Sequence, residues 1–172
     1  MGQNGMVDVE KVRKLLTLAC STEFGMVDSQ FLCRSVGTLG LREPTMVKDS
    51  APIVDVMRVL KANNMGCVLV VDAKQQLCGI FSERDYLTKI FETSTDLAST
   101  PISRVMTSDP FTVTPDSPIA FVLNLMAEGG FRHVPVIDTD GLPLAVVSVR
   151  DIVQSLVERY TSDLLNVDLN LK

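Results

Sequence analysis

An internal repeat constrains the fold of this 172-residue chain more than any other feature. When the sequence is shifted by 66 residues, positions 46–87 align on positions 112–153 without a gap, and 10 of the 42 pairs are identical. Most of the other apolar positions stay apolar, as at Met57/Leu123 and Leu60/Met126. Self-similarity at a fixed offset is typical of a duplicated structural unit, so we expect two copies of one small fold.

Each copy begins with an extended stretch and a helix. Residues 50–52 and 116–118 each present a capping residue and a proline, which suits the first turn of a helix. Residues 63–64 and 129–130 are Asn-Asn and Gly-Gly, which tolerate a left-handed helix end. Between these signals, apolar residues recur at i, i+3, i+4 and i+7 and predict one apolar helix face. These residues are Ile53, Val56, Met57 and Leu60, matched by Ile119, Val122, Leu123 and Met126.

Two β-rich runs and a second helix complete each copy. The runs are 67–71 and 77–81 in the first copy, with 133–137 and 144–147 in the second. The predicted fold is therefore α/β of the α+β type, in which each copy has a small sheet and two helices. Because a sheet with helices on one face must bury its other face, we expect the copies to pack with pseudo-two-fold symmetry. The helix faces centred on Met57 and Met126 are candidates for a dimer interface, although core packing explains the same pattern.

The segments outside the copies carry weaker signals. Residues 7–20 place apolar side chains on one helical face and predict a helix. Residues 93–100 are rich in Ser and Thr and are typical of a linker, and residues 160–172 resemble a fraying helix end and tail.

Composition excludes several classes of function. With 16 basic and 21 acidic residues the net charge is −5, so the chain has no global attraction to nucleic acid or anionic lipid. No apolar run approaches the roughly 20 residues that span a bilayer. Residues 1–6 lack a cationic and apolar leader, and Met6 stands where a myristoylation signal has Ser or Thr. We therefore expect a cytoplasmic protein that contacts neither membrane nor nucleic acid.

The four cysteines and the single histidine do not form a metal site. Cys20, Cys33, Cys67 and Cys78 lack C-x-x-C spacing, and His133 alone cannot complete a zinc set. We expect all four cysteines to be reduced thiols and no metal or cofactor to be resident.

The candidate chemistry lies where the second strand of each copy becomes a helix. Ser82-x-x-Asp85 and Ser148-x-x-Asp151 each place a hydroxyl and a carboxylate three residues apart, with Arg84 or Arg150 between them. This spacing is that of a capping box, so a purely structural role as a helix cap is one alternative for each motif. A carboxylate held at a helix start also presents two oxygens to a vicinal diol, and ribose is such a diol.

These motifs and their order resemble a pair of cystathionine-β-synthase (CBS) domains, the tandem called a Bateman module. The resemblance rests on the repeated element order, on Gly79-x-x-Ser82-x-x-Asp85 with its partner Ser148-x-x-Asp151, and on residues 132–136, Arg-His-Val-Pro-Val. It implies an N-terminal extension over 1–37, CBS domains over 38–92 and 101–160, and a tail over 161–172. It also implies clefts that hold an adenine nucleotide or another adenosine-containing ligand, with or without Mg²⁺, and pairing into a homodimer.

Residues can be assigned to each part of such a ligand. The ribose residues are Ser82, Asp85, Ser148 and Asp151. The phosphate residues are Arg132, His133, Arg84 and Arg150, since guanidinium suits phosphate oxygens. The adenine residues are Val68, Gly79 and Ile80, of which Gly79 lets a ligand approach the backbone. His133 as a satisfied structural residue, and Arg84 and Arg150 as surface residues, remain open alternatives.

The resemblance makes the two clefts unequal. Crossed pairing sets Ser82 and Asp85 opposite Arg132 and His133, whereas the other box faces Gly66 and Cys67. Ala145 also replaces the glycine of the pattern in the second copy. The first cleft is therefore the expected binding site.

No enzyme motif is present in the sequence, which has neither a nucleophile elbow nor a Walker sequence. We therefore expect a non-catalytic regulatory module, an energy sensor that binds AMP, ADP or ATP and acts on an unidentified effector protein. S-adenosylmethionine and NAD are alternative ligands. The rival hypothesis is a dimerisation scaffold that binds no small molecule and whose boxes only cap helices.

Overall fold

The computed structural model describes the backbone of residues 30–168 and the side chains of residues 30–158. The helix predicted over residues 7–20 lies outside this part. Contacts divide the chain into two compact units. The first-copy unit comprises residues 42–114 and 135–146, and the second-copy unit comprises the described residues up to 41, residues 115–134 and those from 147 onwards. The second sequence copy is thus shared between the two units.

The first-copy unit is built on a four-stranded sheet. Its elements are β1 (Met46–Lys48), α1 (Ile53–Asn63), β2 (Cys67–Val71), β3 (Leu77–Ser82), α2 (Glu83–Lys89) and β4 (Thr107–Ser108). The strand order is β1-β2-β3-β4, with β1 parallel to β2 and the other pairs antiparallel. The parallel pair follows from the α1 crossover between its strands, whereas β2 and β3 are joined by a short turn.

The predicted apolar face of α1 forms the core of this unit. Ile53, Val56 and Leu60 are 0%, 1% and 3% exposed and belong to one buried cluster with side chains of β2 and β3. Met57 packs partly buried against the same cluster. The face centred on Met57 therefore stabilises the interior, as expected for an amphipathic helix beside a sheet.

Further along the chain lie α3 (Ile119–Gly129), β5 (His133–Ile137), β6 (Pro143–Ser148) and α4 (Val149–Asp168). β5 and β6 form a two-stranded sheet. The apolar face predicted for α3 is buried at Ile119, Val122 and Met126. Met126 is 4% exposed, so it is core and cannot centre a dimer interface. The mixed helix and sheet class predicted from the sequence is confirmed.

Strand pairing also repeats between the copies. Val113 forms an isolated parallel bridge with Val136, and the residues 66 positions earlier, Val47 and Val70, are paired in the parallel β1–β2 ladder. In the first-copy unit Ile137 N donates to Val113 O at 2.9 Å and Leu77 N donates to Gly141 O at 3.3 Å. These bonds attach residues 135–146 to that unit.

The helix ends were predicted only in part. Asn64 and Gly130 hold the left-handed ends of α1 and α3 with φ of 50° and 65°, as expected. At the other end the N-cap is proline itself, Pro52 or Pro118, with no side-chain cap. The first amides find carbonyls in other segments instead, and Ile53 N donates to Thr100 O at 3.0 Å. The linker over 93–100 is therefore hydrogen-bonded to the start of α1.

One further expectation is wrong. Cys33 is disulfide-bonded, whereas Cys67 and Cys78 are free thiols, so the cysteines are not all reduced. A disulfide depends on the approach of two Cβ atoms, which spacing along the chain does not reveal. The helix α4 extends to Asp168, within the segment expected to hold a fraying helix end and tail, since no Gly or Pro interrupts residues 149–168. In the described part of the chain no helix has the length and apolar character needed to cross a membrane.

Candidate functional site

The first Ser-x-x-Asp motif forms a complete capping box between β3 and α2. Ser82 is the N-cap residue, and its Oγ accepts a hydrogen bond from Asp85 N at 3.3 Å. The carboxylate returns the interaction, since Asp85 Oδ2 accepts from Ser82 N at 2.9 Å and from Ser82 Oγ at 2.6 Å. The box fixes the carboxylate at the point where the strand becomes a helix.

The second motif repeats this geometry between β6 and α4. Asp151 Oδ2 accepts from Ser148 N at 2.8 Å and from Ser148 Oγ at 2.6 Å, and Asp151 N donates to Ser148 Oγ at 3.2 Å. Each distance agrees with its counterpart in the first box to within 0.1 Å. The duplicated sequence therefore produces a duplicated local structure.

The surroundings of the first carboxylate are different. Lys89 Nζ lies 2.7 Å from Asp85 Oδ1, and Thr107 Oγ1 donates to the same oxygen at 3.2 Å. Lys89 Nζ also donates to Thr107 Oγ1 at 3.0 Å, which closes a three-membered network. Burial acts to raise the pKa of Asp85, but the hydrogen bonds from Lys89 and Ser82 outweigh it and hold that pKa below its ordinary value of 3.8.

The three residues predicted to contact adenine lie on β2 and β3. Val68 is 1% exposed, and its side chain packs in the core cluster. Gly79 is buried, and a Cβ built on it would overlap Met106 Sδ. Ile80 is half-buried. Gly79 therefore makes room for the Met106 side chain.

The predicted phosphate residues are mostly exposed. The side chains of Arg84, Arg132 and Arg150 lie at the surface, and His133 is half-buried. Val149 N donates to Arg132 O at 3.1 Å, which brings the backbone of Arg132 beside the start of α4. In the first copy Glu83 N donates in the same way to Gly66 O.

The predicted site residues fall into two groups. Val68, Gly79, Ile80, Ser82, Arg84 and Asp85 belong to the first-copy unit. Arg132, His133, Ser148, Arg150 and Asp151 belong to the second-copy unit. The cleft in which Asp85 faces Arg132 stays a prediction.

Sequence reasoning missed three residues around the first box. Lys89 follows Asp85 at i+4, a spacing that predicts an ion pair on a helix, so it was available from the sequence. Thr107 and Met106 lie more than 20 residues further along the chain, and because β4 pairs with β3 Thr107 reaches Asp85 and Met106 reaches Gly79. Nothing local indicates that pairing. Within the described residues no group of His, Cys, Asp and Glu side chains could hold a metal ion.

Comparison with known proteins identifies the family. The model of the CBS domain matches residues 36–92 and 102–158, and the chain belongs to the CBS-domain family. A CBS domain-containing protein of Arabidopsis thaliana is 33% identical over 125 residues, which are 73% of this chain but only 22% of that protein. An uncharacterized 17.7 kDa protein of Acidianus ambivalens is 28% identical over 76% of this chain and 77% of its own length.

A solved structure is similar to this chain in both fold and sequence. It is a CBS domain protein from Pyrobaculum aerophilum complexed with AMP, with 26% identity and a TM-score of 0.64. The match covers 72% of this chain and 98% of that one.

Proposed function

We propose that this chain is a non-catalytic regulatory module that binds an adenosine-containing ligand, an adenine nucleotide such as AMP. The observation that carries the proposal is the duplicated box, which fixes a carboxylate and a serine hydroxyl at the start of α2 and of α4. Such a carboxylate accepts hydrogen bonds from the two hydroxyls of a ribose. The AMP complex of the Pyrobaculum aerophilum relative supports this ligand class.

Each part of the nucleotide has assigned residues in the proposal. The ribose meets Ser82 and Asp85, or Ser148 and Asp151. The adenine lies against the backbone near Val68, Gly79 and Ile80. The phosphate is bound by Arg132 and His133, with Arg84 and Arg150 as further cations, and any Mg²⁺ arrives with the nucleotide. The bound state then acts on an effector protein in the cytoplasm.

A second function is favoured by a different observation. Both boxes are complete as helix caps without a ligand, and apolar side chains are exposed at matching positions of the two copies. Leu87 and Phe91 are 62% and 58% exposed, and Val153 and Val157, their equivalents 66 positions later, are 50% and 56% exposed. Such positions suit a homodimer contact, so a scaffold that only associates is the rival function.

A thermal-shift screen tests the first function against the second. AMP, ADP, ATP, S-adenosylmethionine and NAD are compared with GMP and ribose 5-phosphate at equal concentration. A ligand at about 100 times its Kd adds about 2.7 kcal/mol of stability, or roughly 5–10 °C for a chain of this size. We expect an adenosine-containing ligand to give such a rise and ribose 5-phosphate to give none. No shift with any of them at millimolar concentration leaves the scaffold as the function.

A further inference from the structure

The two Ser-x-x-Asp boxes differ in how many of their carboxylate positions are filled by the protein. A carboxylate has about four lone-pair sites for hydrogen-bond donors. Asp85 receives four donors: Ser82 N at 2.9 Å and Ser82 Oγ at 2.6 Å on Oδ2, with Lys89 Nζ at 2.7 Å and Thr107 Oγ1 at 3.2 Å on Oδ1. The first box is therefore saturated, and a diol must displace one of its donors.

The second box is half open. Ser148 supplies two donors to Asp151 Oδ2, at 2.8 Å and 2.6 Å. Among the residues that the structure describes, none donates a hydrogen bond to Asp151 Oδ1. At the offset of 66 residues, Ser155 and Leu41 occupy the positions of Lys89 and Thr107. Neither residue carries a cation. The sequences of the two copies therefore account for the different number of donors on the two carboxylates.

The donors on Asp85 are more than an incidental surface pair. An isolated exposed ion pair contributes little, but Asp85 has only 14% of its side chain exposed and Lys89 has 36%. Thr107 accepts from Lys89 and donates to Asp85, so the three side chains hold one another. Displacing a donor from a carboxylate in such a network lowers ligand affinity by about ten- to a hundredfold.

The residues beside the open box also suit a nucleotide. The carbonyl oxygen of Arg132 accepts a hydrogen bond from Val149 N at 3.1 Å. Arg132 lies in the same unit as Asp151, and its side chain is exposed. The equivalent position beside the saturated box is Gly66, which offers no cation. The open carboxylate and the arginine therefore occur together, in the second copy.

We infer that Lys89 determines which box takes the ligand: with Thr107 it closes Asp85, and the diol of the ribose binds Asp151. The inference rests on the proposed function and specifies its site. Ala145 in place of glycine favoured the first box, but Gly79 in that box is covered by Met106.

Calorimetric titration with AMP tests the assignment on wild type, Asp85→Asn, Asp151→Asn and Lys89→Met. The wild type binds one AMP per chain. Asp151→Asn weakens binding by about ten- to a hundredfold, whereas Asp85→Asn changes it less than about threefold. Lys89→Met removes the cation from Asp85 Oδ1 and leaves Thr107 as its one donor, and we expect the stoichiometry to rise from one AMP to two. Lys61→Met removes an exposed lysine of α1 and keeps the wild-type titration.

The possible failures are distinguishable. Loss of AMP binding in Asp85→Asn with retention in Asp151→Asn overturns the inference and leaves the proposed function standing. Two AMP molecules per wild-type chain, or no change in Lys89→Met, overturns it as well. Absence of binding in the wild type and in every variant overturns the proposed function together with the inference. The Lys89→Met arm does not depend on Asp151→Asn folding, because Lys89 lies at the surface.

Discussion

Gly79 and Ala145 occupy equivalent positions, and Gly79 lies against the Met106 side chain. A Cβ at Gly79 would overlap Met106 Sδ, so Gly79→Ala forces that side chain to move. Because Met106 is half-buried and flexible, this overpacking lowers the free energy of unfolding by about 1 kcal/mol, the low end of the usual range. Urea unfolding of Gly79→Ala measures the loss.

The matched control is the Met106→Ala background. There the new methyl group has space, so Gly79→Ala becomes less destabilising and the two substitutions are not additive. Additive losses would show that Met106 is not what excludes a side chain at position 79.

Asp85 makes stability depend on acid pH. Its pKa in the folded protein is below the ordinary 3.8 because Lys89 and Ser82 stabilise the carboxylate despite burial. The stabilisation is therefore fully present above that ordinary value and is lost as the pH falls through the lower folded pKa. We expect the advantage of wild type over Asp85→Asn in unfolding free energy to shrink below about pH 4.

Lys89→Met sharpens this test because it removes a donor that lowers the pKa. Its acid transition shifts to higher pH than that of wild type, whereas Lys61→Met leaves the transition in place. Identical profiles for wild type and Lys89→Met would show that the pair does not stabilise the ionised carboxylate.

At the scale of the elements, α1 and α3 each end at a C-cap residue in the left-handed backbone conformation. Gly130 has φ of 65°, so Gly130→Ala places a Cβ where it is strained and costs about 1 kcal/mol. Asn64→Gly at the equivalent end, with φ of 50°, keeps or raises stability. Thermal melts of the two variants give the signs, and an equal loss in both would contradict this explanation.

The elements were predicted where local patterns determine them. The faces of α1 and α3 and the residues at their C-terminal ends follow from apolar spacing and from Asn and Gly, and the structure confirms them. The proline N-caps and the two-residue β4 were not predicted. The first backbone amides of α1 and α3 donate to carbonyls of distant segments, and β4 pairs with β3, which is distant along the chain. The same distinction applies to the site: the boxes are local, whereas Thr107 reaches Asp85 only through β4.

At the scale of the whole molecule, the exposed apolar residues 87, 91, 153 and 157 predict self-association. Burial of these matched side chains would remove apolar surface from water, so we expect a homodimer in sedimentation experiments at micromolar concentration. Phe91→Asp combined with Val157→Asp shifts the protein to monomer. Phe111→Asp is the control, since Phe111 is 52% exposed and its equivalent in the first copy is Thr45. A monomeric wild type would contradict the prediction.

Binding of a ribose diol is tested most directly by paired calorimetric titrations with AMP and 2′-deoxy-AMP. The two ligands share adenine and phosphate, so any difference in affinity comes from the 2′-hydroxyl. In the proposed site this hydroxyl donates a hydrogen bond to the carboxylate of the box. We expect AMP to bind about ten- to a hundredfold more tightly, as is typical for loss of a hydrogen bond to a charged group. Equal affinity for the two ligands, or no heat from either at millimolar concentration, would contradict a nucleotide site built on the Ser-x-x-Asp boxes.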